Sequence, residues 1–315
     1  MGGVLHDIRI FFGHLADVGW TALGIALLCQ FTKLCCTSRA WRNILAASYG
    51  NVSVRWRSIF GAYLARVGVN AIVPARGGDA VGLFIAKRRI EGSTYPTLAA
   101  TLVALTLFDS VLASCFIIYA LASGSLPGSS VLARLNAFDF HWFFAHLQAT
   151  LIAIGLILLA LLLLLLWFAE QLIDFRRRIA RGFAVFSDKT QYLRHVAVWQ
   201  AADWSLRLVA IFFFLRAFHV PATLHNAILV QVTQSLAVLF PISPSGIGTE
   251  QALLLYTFAG RATRSVLLSF SVGMLVTLIA FNAILGFSAI LVMLRTLHWR
   301  QHVEADRDAV AEQSP

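Results

Sequence analysis

From Ala149 to Phe168 the chain runs almost without a polar break, and every position from Leu161 to Leu166 is leucine. A hydrocarbon core of about 30 Å takes roughly 20 such residues to cross as a helix. The rest of the chain agrees with this segment. Of its 315 residues, 59% are hydrophobic and only 13% charged, and the mean hydropathy is +0.77. A soluble domain typically holds about 45–50% apolar and about 25% charged residues. Backbone polar groups inside lipid must find partners within the chain, and an isolated apolar segment does that as a helix. The fold class that follows is all-α: a polytopic integral membrane helix bundle, residues 1–315 forming a single membrane domain.

Seven or eight hydrophobic segments are expected. The longer ones run Val18–Cys36, Ser58–Val73, Tyr95–Leu121, His141–Phe168, Val196–Phe218, Ala222–Phe240 and Ser265–Leu294. Two shorter apolar pieces, Ala80–Ala86 and Thr249–Ala259, each follow a Pro/Gly breaker. A short surface helix is expected at Ile44–Tyr49, between the interfacial anchors Trp41 and Trp56. Residues 295–315 form a polar tail.

The segments repeat. The first half, 18–121, breaks at 74–79; the second, 141–294, breaks at 241–250. Each half has a helix, a breaker with an acid (Asp79, Glu250), a short half-helix, basic residues and a long helix. Matching Gly/Pro-interrupted segments in two halves are the best sequence pointer to a transporter site. Placing Arg39–Arg57, Lys87–Arg89, Arg176–Arg194 and the Arg295/Arg300 tail in the cytoplasm satisfies the positive-inside rule. It requires two re-entrant hairpins, Ser58–Ala86 from the cytoplasm and Ala222–Ala259 from outside. The repeat is then inverted, with the N-terminus outside and the C-terminus inside.

The net charge of +10 is read as basic loops that set topology and touch anionic headgroups. No basic-aromatic nucleic-acid module accompanies it. Residues 1–17 carry His6, Asp7, Arg9, His14 and Asp17 ahead of the first apolar run, so no cleaved signal peptide is expected. Cys29, Cys35, Cys36 and Cys115 sit in or beside apolar segments, without zinc-site spacing. They are read as small buried apolar residues.

Charges inside lipid are costly, by at least about 2.5–3.5 kcal/mol on insertion scales, so they face a partner or a cavity. The candidates are Arg66, Asp109, Asp203, Arg207 and Glu250, with Arg76 and Asp79 beside the first break. A half-helix starting inside the membrane presents unsatisfied N–H groups and a partial positive charge, which suits a phosphate or carboxylate. Gly77, Gly78, Ser245, Gly246 and Gly248 at the two breaks would let an anionic headgroup approach the backbone. The structural alternatives are specific. Asp203 and Arg207, four apart, neutralise each other; Arg66 pairs with Asp109; Asp79 and Glu250 are N-cap or first-turn acids. Gln231 and Gln234 make interhelical hydrogen bonds. No catalytic constellation, metal set or cofactor motif stands out: Gly246-Ile-Gly248 lacks the context of a dinucleotide or phosphate loop.

Two stretches carry a family resemblance. One is Asn70-Ala-Ile-Val-Pro-Ala-Arg-Gly-Gly-Asp79, continuing through Lys87-Arg88-Arg89, Ala99-Ala-Thr101 and Asp109; the other is Phe240-Pro-Ile-Ser-Pro-Ser-Gly-Ile-Gly-Thr-Glu-Gln-Ala252. They resemble the flippase-like transmembrane region of the bacterial lysylphosphatidylglycerol synthase family, over nearly the whole chain in segment order. Leu105 and Thr106 stand where the family often has a Glu-Arg pair, and Ser245 replaces a glycine. The resemblance implies a lipid translocator of the cytoplasmic membrane, not an enzyme, moving a polar-headed lipid, anionic or aminoacylated. The other expectation is an accessory membrane subunit partnering a glycosyltransferase or lipid-modifying enzyme.

Overall fold

The computed structural model describes residues 18–50, 52–73, 76–123, 177–239, 249–258 and 261–312. Among them there are helices and no strands. In order these are α1 (Trp20–Ser48), α2 (Trp56–Ile72), α3 (Gly77–Arg89), α4 (Tyr95–Ala122), α5 (Lys189–Ala217, with a π-helical stretch at Leu193–Ala197), α6 (Leu224–Leu239), α7 (Thr249–Thr257) and α8 (Arg264–Glu312). Among the described residues, four stretches are long and apolar enough to cross a membrane: α1, α4, α5 and Arg264–Met293 of α8. Leu28, Val111, Ile118, Ile284 and Leu291 on them are each more than 60% exposed, which suits lipid-facing positions and no soluble surface.

Local chemistry sets several helix ends. Asp188 caps α5, its carboxylate accepting from the Thr190 and Gln191 N–H groups. Pro96 stands in the first turn of α4, where its missing N–H is harmless. Arg76 starts α3 with φ 57° and ψ 33°, the left-handed region that a sharp reversal after α2 requires.

Helix directions follow from the contacts. Along α1 and α5, Gly19 N–H meets the Ala217 carbonyl (2.9 Å), Thr37 meets Asp203, and Asn43 meets the His195 carbonyl. Residue numbers rise on one helix as they fall on the other, so the helices that precede the two hairpins are antiparallel. α2 and α8 are antiparallel too. A Cβ on Gly68 would lie 2.5 Å from Gly286 Cα, and Gly61 faces Met293. Small residues here let two backbones touch, the usual device for helix packing in lipid.

The two hairpins, α2–α3 and α6–α7, enter from opposite ends. The base of the first is pinned where Trp56 donates to Ser38 Oγ (3.1 Å) and Arg89 to the Met293 carbonyl (3.2 Å). The base of the second is pinned where Arg261 donates to Asn226 Oδ1 (2.8 Å). The end of α2 lies level with the middle of α1, because Gly68 abuts Asn282, whose Oδ1 accepts from Gln30 of α1 (3.4 Å).

Each helix pairing in one half recurs in the other. α1 packs on α2 as α5 on α6; α2 on α3 as α6 on α7; α3 on α4 as α7 on α8. The long arm of each hairpin packs on the last helix of the other half, α2 on α8 and α6 on α4. Exchanged contacts about an antiparallel α1–α5 pair are what an inverted repeat produces.

Among the described residues most of the basic side chains collect at one end, whereas Arg216, Arg261 and Arg264 lie toward the other. Asn43–His195, the Thr97 hydroxyl on the Arg178 carbonyl (2.9 Å), and Arg89–Met293 tie together the stretches bearing Arg39–Arg57, Lys87–Arg89 and Arg177–Arg194. This is called the basic end below. Two apolar cores lie along the bundle. One, toward the basic end, holds Leu34, Trp41, Ile44, Ile59, Leu98 and Leu105. The other holds Ala26, Ala120, Ile211, Phe214, Phe258 and Phe270.

Two expectations change. Ile44–Tyr49 is no separate surface helix: α1 runs unbroken to Ser48, and Ile44 and Leu45 are fully buried. Packing of the basic-end core, not the mixed polarity around Arg39 and Arg42, decides that segment. Cys115 is exposed on α4, whereas Cys36 is buried. The N-terminal stretch, the His141–Phe168 segment and the break at 241–248 lie outside the described residues, as do His141 and Ser245, Gly246 and Gly248. The polar residues after Arg295 continue α8 as helix through Glu312.

Candidate functional site

Between the two apolar cores the helices carry polar side chains at matching depth: Gln30, Lys33 and Thr37 on α1, Asp109 on α4, and Asp203 and Arg207 on α5. Asp203 is 2% exposed. Its two oxygens accept from the Thr37 hydroxyl and from Arg207 (3.0 Å). The four-residue spacing makes Arg207 the natural partner. Arg207 also lies over the Trp204 ring, 4.6 Å from its centroid. The Trp204 indole N–H in turn donates to Asp109 Oδ1 at 2.7 Å. Lys33 lies within electrostatic reach of Arg207, Asp203 and Asp109. Two cations and two carboxylates thus form one formally neutral group on three membrane-crossing helices.

The geometry leaves one strong group unused. Arg207 Nε is buried and has no hydrogen-bond partner among the described residues. A buried donor on a cation without an acceptor costs more than the about 1–3 kcal/mol of a neutral one.

A second cluster sits at the tip of the first hairpin. Arg66 Nε meets Asp79 Oδ1 at 2.7 Å, and Asn70 donates to the same oxygen at 2.8 Å. The expected Arg66–Asp109 pair is therefore not formed. The reversal at Arg76 returns α3 along α2 and brings Asp79 beside Arg66 first. Arg76 is exposed and adds its charge near Asp79. Gly78 packs on the Arg66 carbonyl and Asn70, closer than any side chain would allow. Its N–H donates to Asn70 Oδ1 (2.8 Å), and the Asp79 N–H to the Arg76 carbonyl (2.9 Å). These two N–H groups, expected to be open to an anion, are satisfied within the hairpin. Gly77 faces the Val73 side chain. Tyr63, beneath the Arg66 guanidinium at 5.7 Å, bridges the two clusters, for it also reaches Thr37 and lies near Asp203 and Asp109.

The second hairpin repeats the scheme with an uncharged donor. Glu250, in the first turn of α7 and 9% exposed, accepts from Gln234 of α6 at 3.1 Å. In each hairpin the long arm supplies a donor and the short arm the carboxylate. Gln234 makes the interhelical bond expected of it, whereas among the described residues Gln231 reaches Ser235, one turn along its own helix (3.3 Å).

Several residues of this layer were not singled out in the sequence: Lys33, Thr37, Tyr63, Asn70 and Trp204. Lys33 had a signal, as a lysine inside the Val18–Cys36 run. Asn70 had one too, as the first residue of the family-like stretch that ends at Asp79; Thr37, Tyr63 and Trp204 had none, since Thr, Tyr and Trp are ordinary in such helices. Among the described residues no group of three or more His, Cys, Asp or Glu is placed to hold a metal ion.

Antiparallel halves, opposed hairpins and a charged layer at mid-depth define a multi-pass helical membrane protein built as an inverted repeat. The family model described as the lysylphosphatidylglycerol synthase TM region matches residues 7–286 of the chain. The chain belongs to that family, which ties it to lipid handling in a membrane. No curated protein and no solved structure matches it.

Proposed function

We propose that the chain is a translocator that moves a polar-headed lipid, anionic or aminoacylated, across a bacterial cytoplasmic membrane without making or breaking a covalent bond. The observation that carries this reading is the buried Arg207 Nε, without a partner among the described residues, in a formally neutral four-charge cluster between α1, α4 and α5. A phosphate oxygen is the acceptor such a guanidinium takes most readily. Lys33 offers a second cation, while Asp109 and Asp203 offer acceptors to a headgroup amine. The hairpin tips reach toward this layer from both ends, so a headgroup leaving one leaflet meets Asp79 and one leaving the other meets Glu250. The positive-inside rule puts the basic end in the cytoplasm.

The test is a dithionite assay on liposomes holding the purified protein and a fluorescent-headed phospholipid. Wild type should expose the inner-leaflet label, and Arg207→Gln and Glu250→Gln should lose most of that rate while staying folded. If folded wild type flips none of the anionic, zwitterionic or aminoacylated lipids of a bacterial membrane, the reading fails. The accessory-subunit reading then takes its place.

A further inference from the structure

The basic end carries a feature that the intramembrane layer does not explain. An open pocket of about 890 Å³ is walled by Arg39 and Arg42 of α1, Arg55 and Arg57 around the start of α2, and Arg89 at the end of α3. The carboxylate in its wall is that of Glu91, and no ion pair joins it to Arg39, Arg55 or Arg57. The guanidinium groups of Arg39, Arg55 and Arg57, brought together from α1 and the start of α2, repel one another unless an anion lies among them. Arginine offers planar, bidentate donors matched to phosphate oxygens.

The pocket continues into the membrane as an aromatic column. Trp56 in its wall stacks on Phe60 with ring centroids 5.2 Å apart, and Phe60 meets Phe31 edge-on at 6.2 Å. Trp56 is fixed by its bond to Ser38, and Arg39 leans over its ring at 5.8 Å. From Ser38 down to Phe31 the helix falls by about 10 Å. The Phe31 ring is 36% exposed. An anionic head above and an exposed apolar track below fit a phospholipid standing upright in the leaflet. A soluble anion would use only the upper part.

We propose that this pocket is a binding site for an anionic glycerophospholipid, its phosphate among Arg39, Arg55 and Arg57 and an acyl chain along Trp56, Phe60 and Phe31. The site is separate from the charged layer, and its occupancy stands whether or not the chain moves lipid. Basic pockets between membrane helices are known anionic-headgroup sites, with about 1 kcal/mol, or roughly fivefold in affinity, for each basic residue near the surface.

The test measures thermal unfolding of the purified protein in neutral detergent micelles while dioleoylphosphatidylglycerol, dioleoylphosphatidylcholine or inorganic phosphate is titrated in. Phosphatidylglycerol should raise the melting temperature saturably; the other two should not at equal concentration. The triple variant Arg39→Gln, Arg55→Gln, Arg57→Gln should need roughly a hundredfold more lipid for the same shift, at about fivefold per residue. A control with equal charge loss at the same end, Arg177→Gln, Arg178→Gln, Arg181→Gln, should titrate like wild type. Equal loss in both variants would overturn the pocket in favour of diffuse surface charge. An equal shift with phosphate would overturn the lipid in favour of a soluble anion. Should the triple variant not fold, a photoactivatable phosphatidylglycerol with its reactive group in the acyl chain decides on wild type. Adducts at Phe31, Trp56 or Phe60 support the site, and adducts only elsewhere refute it.

Discussion

The Arg66–Asp79 pair decides whether the first hairpin is held by charge or only by shape. Replacing Asp79 with Asn keeps an acceptor oxygen for Arg66 Nε and Asn70 Nδ2 but removes the negative charge. Arg66, whose side chain is 13% exposed, then carries an uncompensated charge beside Tyr63. Breaking a fully buried pair costs about 3–5 kcal/mol. The Asp79 side chain is 25% exposed, so solvent screening reduces this to about 1–3 kcal/mol. Arg66→Gln should cost a similar amount, since it strands the carboxylate. The double variant removes both charges and should be less destabilised than the two singles combined, with a coupling of about 1–2 kcal/mol. The assay is reversible unfolding in mixed micelles, followed by helical circular dichroism across the four proteins of the cycle. Strictly additive losses would refute the pairing as an energetic unit and leave Gly78 packing and the Asn70 bonds to hold the hairpin.

Three further outcomes are expected. Gly68→Val should separate α2 from α8 and destabilise the fold by about 1–3 kcal/mol through overpacking, because the added carbon meets Gly286 and Asn282 backbone atoms, which have no room to yield; thermal melts would show it, and Gly24→Val, at a glycine with open space around it, serves as the comparison. Trp204→Phe keeps the ring under Arg207 but removes the N–H that holds Asp109; flipping should fall several-fold with little change in melting temperature, and unchanged flipping would detach Asp109 from the proposed site. Single cysteines placed at Ser123 and at Glu91, in a protein whose native cysteines are replaced by serine, should label from opposite sides of the membrane; labelling from one side would break the inverted arrangement.

Much of the architecture was legible in the sequence because lipid leaves few options. Apolar length gave the crossing segments, and the two Gly/Pro breaks with their acids gave the hairpins and the repeat. Less was legible where distant segments meet. Arg66 had two acids within plausible reach. Only the reversal at Arg76, with its left-handed backbone, chooses Asp79 over Asp109. The aromatic holding Asp109 lies 95 residues away on α5, a distance no local pattern spans. Ile44 and Leu45 looked interfacial because arginines flank them, but they face the apolar core while Arg42 turns away to the Val54 carbonyl at 2.8 Å.

Lys33 shows where the same physical rule reaches further than its first application. A lysine within an apolar run carries the insertion penalty already applied to Arg66 and Asp109, and it too needs a partner. Its neighbours are two acids and a second cation, so the cluster is neutral only when Lys33 is counted. Without Lys33, Arg207 faces Asp203 and Asp109 alone, and the layer bears a net negative charge. Such a layer would repel the phosphate of an anionic lipid. With Lys33 it offers a second cation within reach of the carboxylates, and a headgroup can exchange partners without the layer gaining net charge beyond its own. Lys33→Gln should therefore impair passage of anionic lipids more than of zwitterionic ones in the dithionite assay. Equal loss for both classes would mean that Lys33 only holds the helices together.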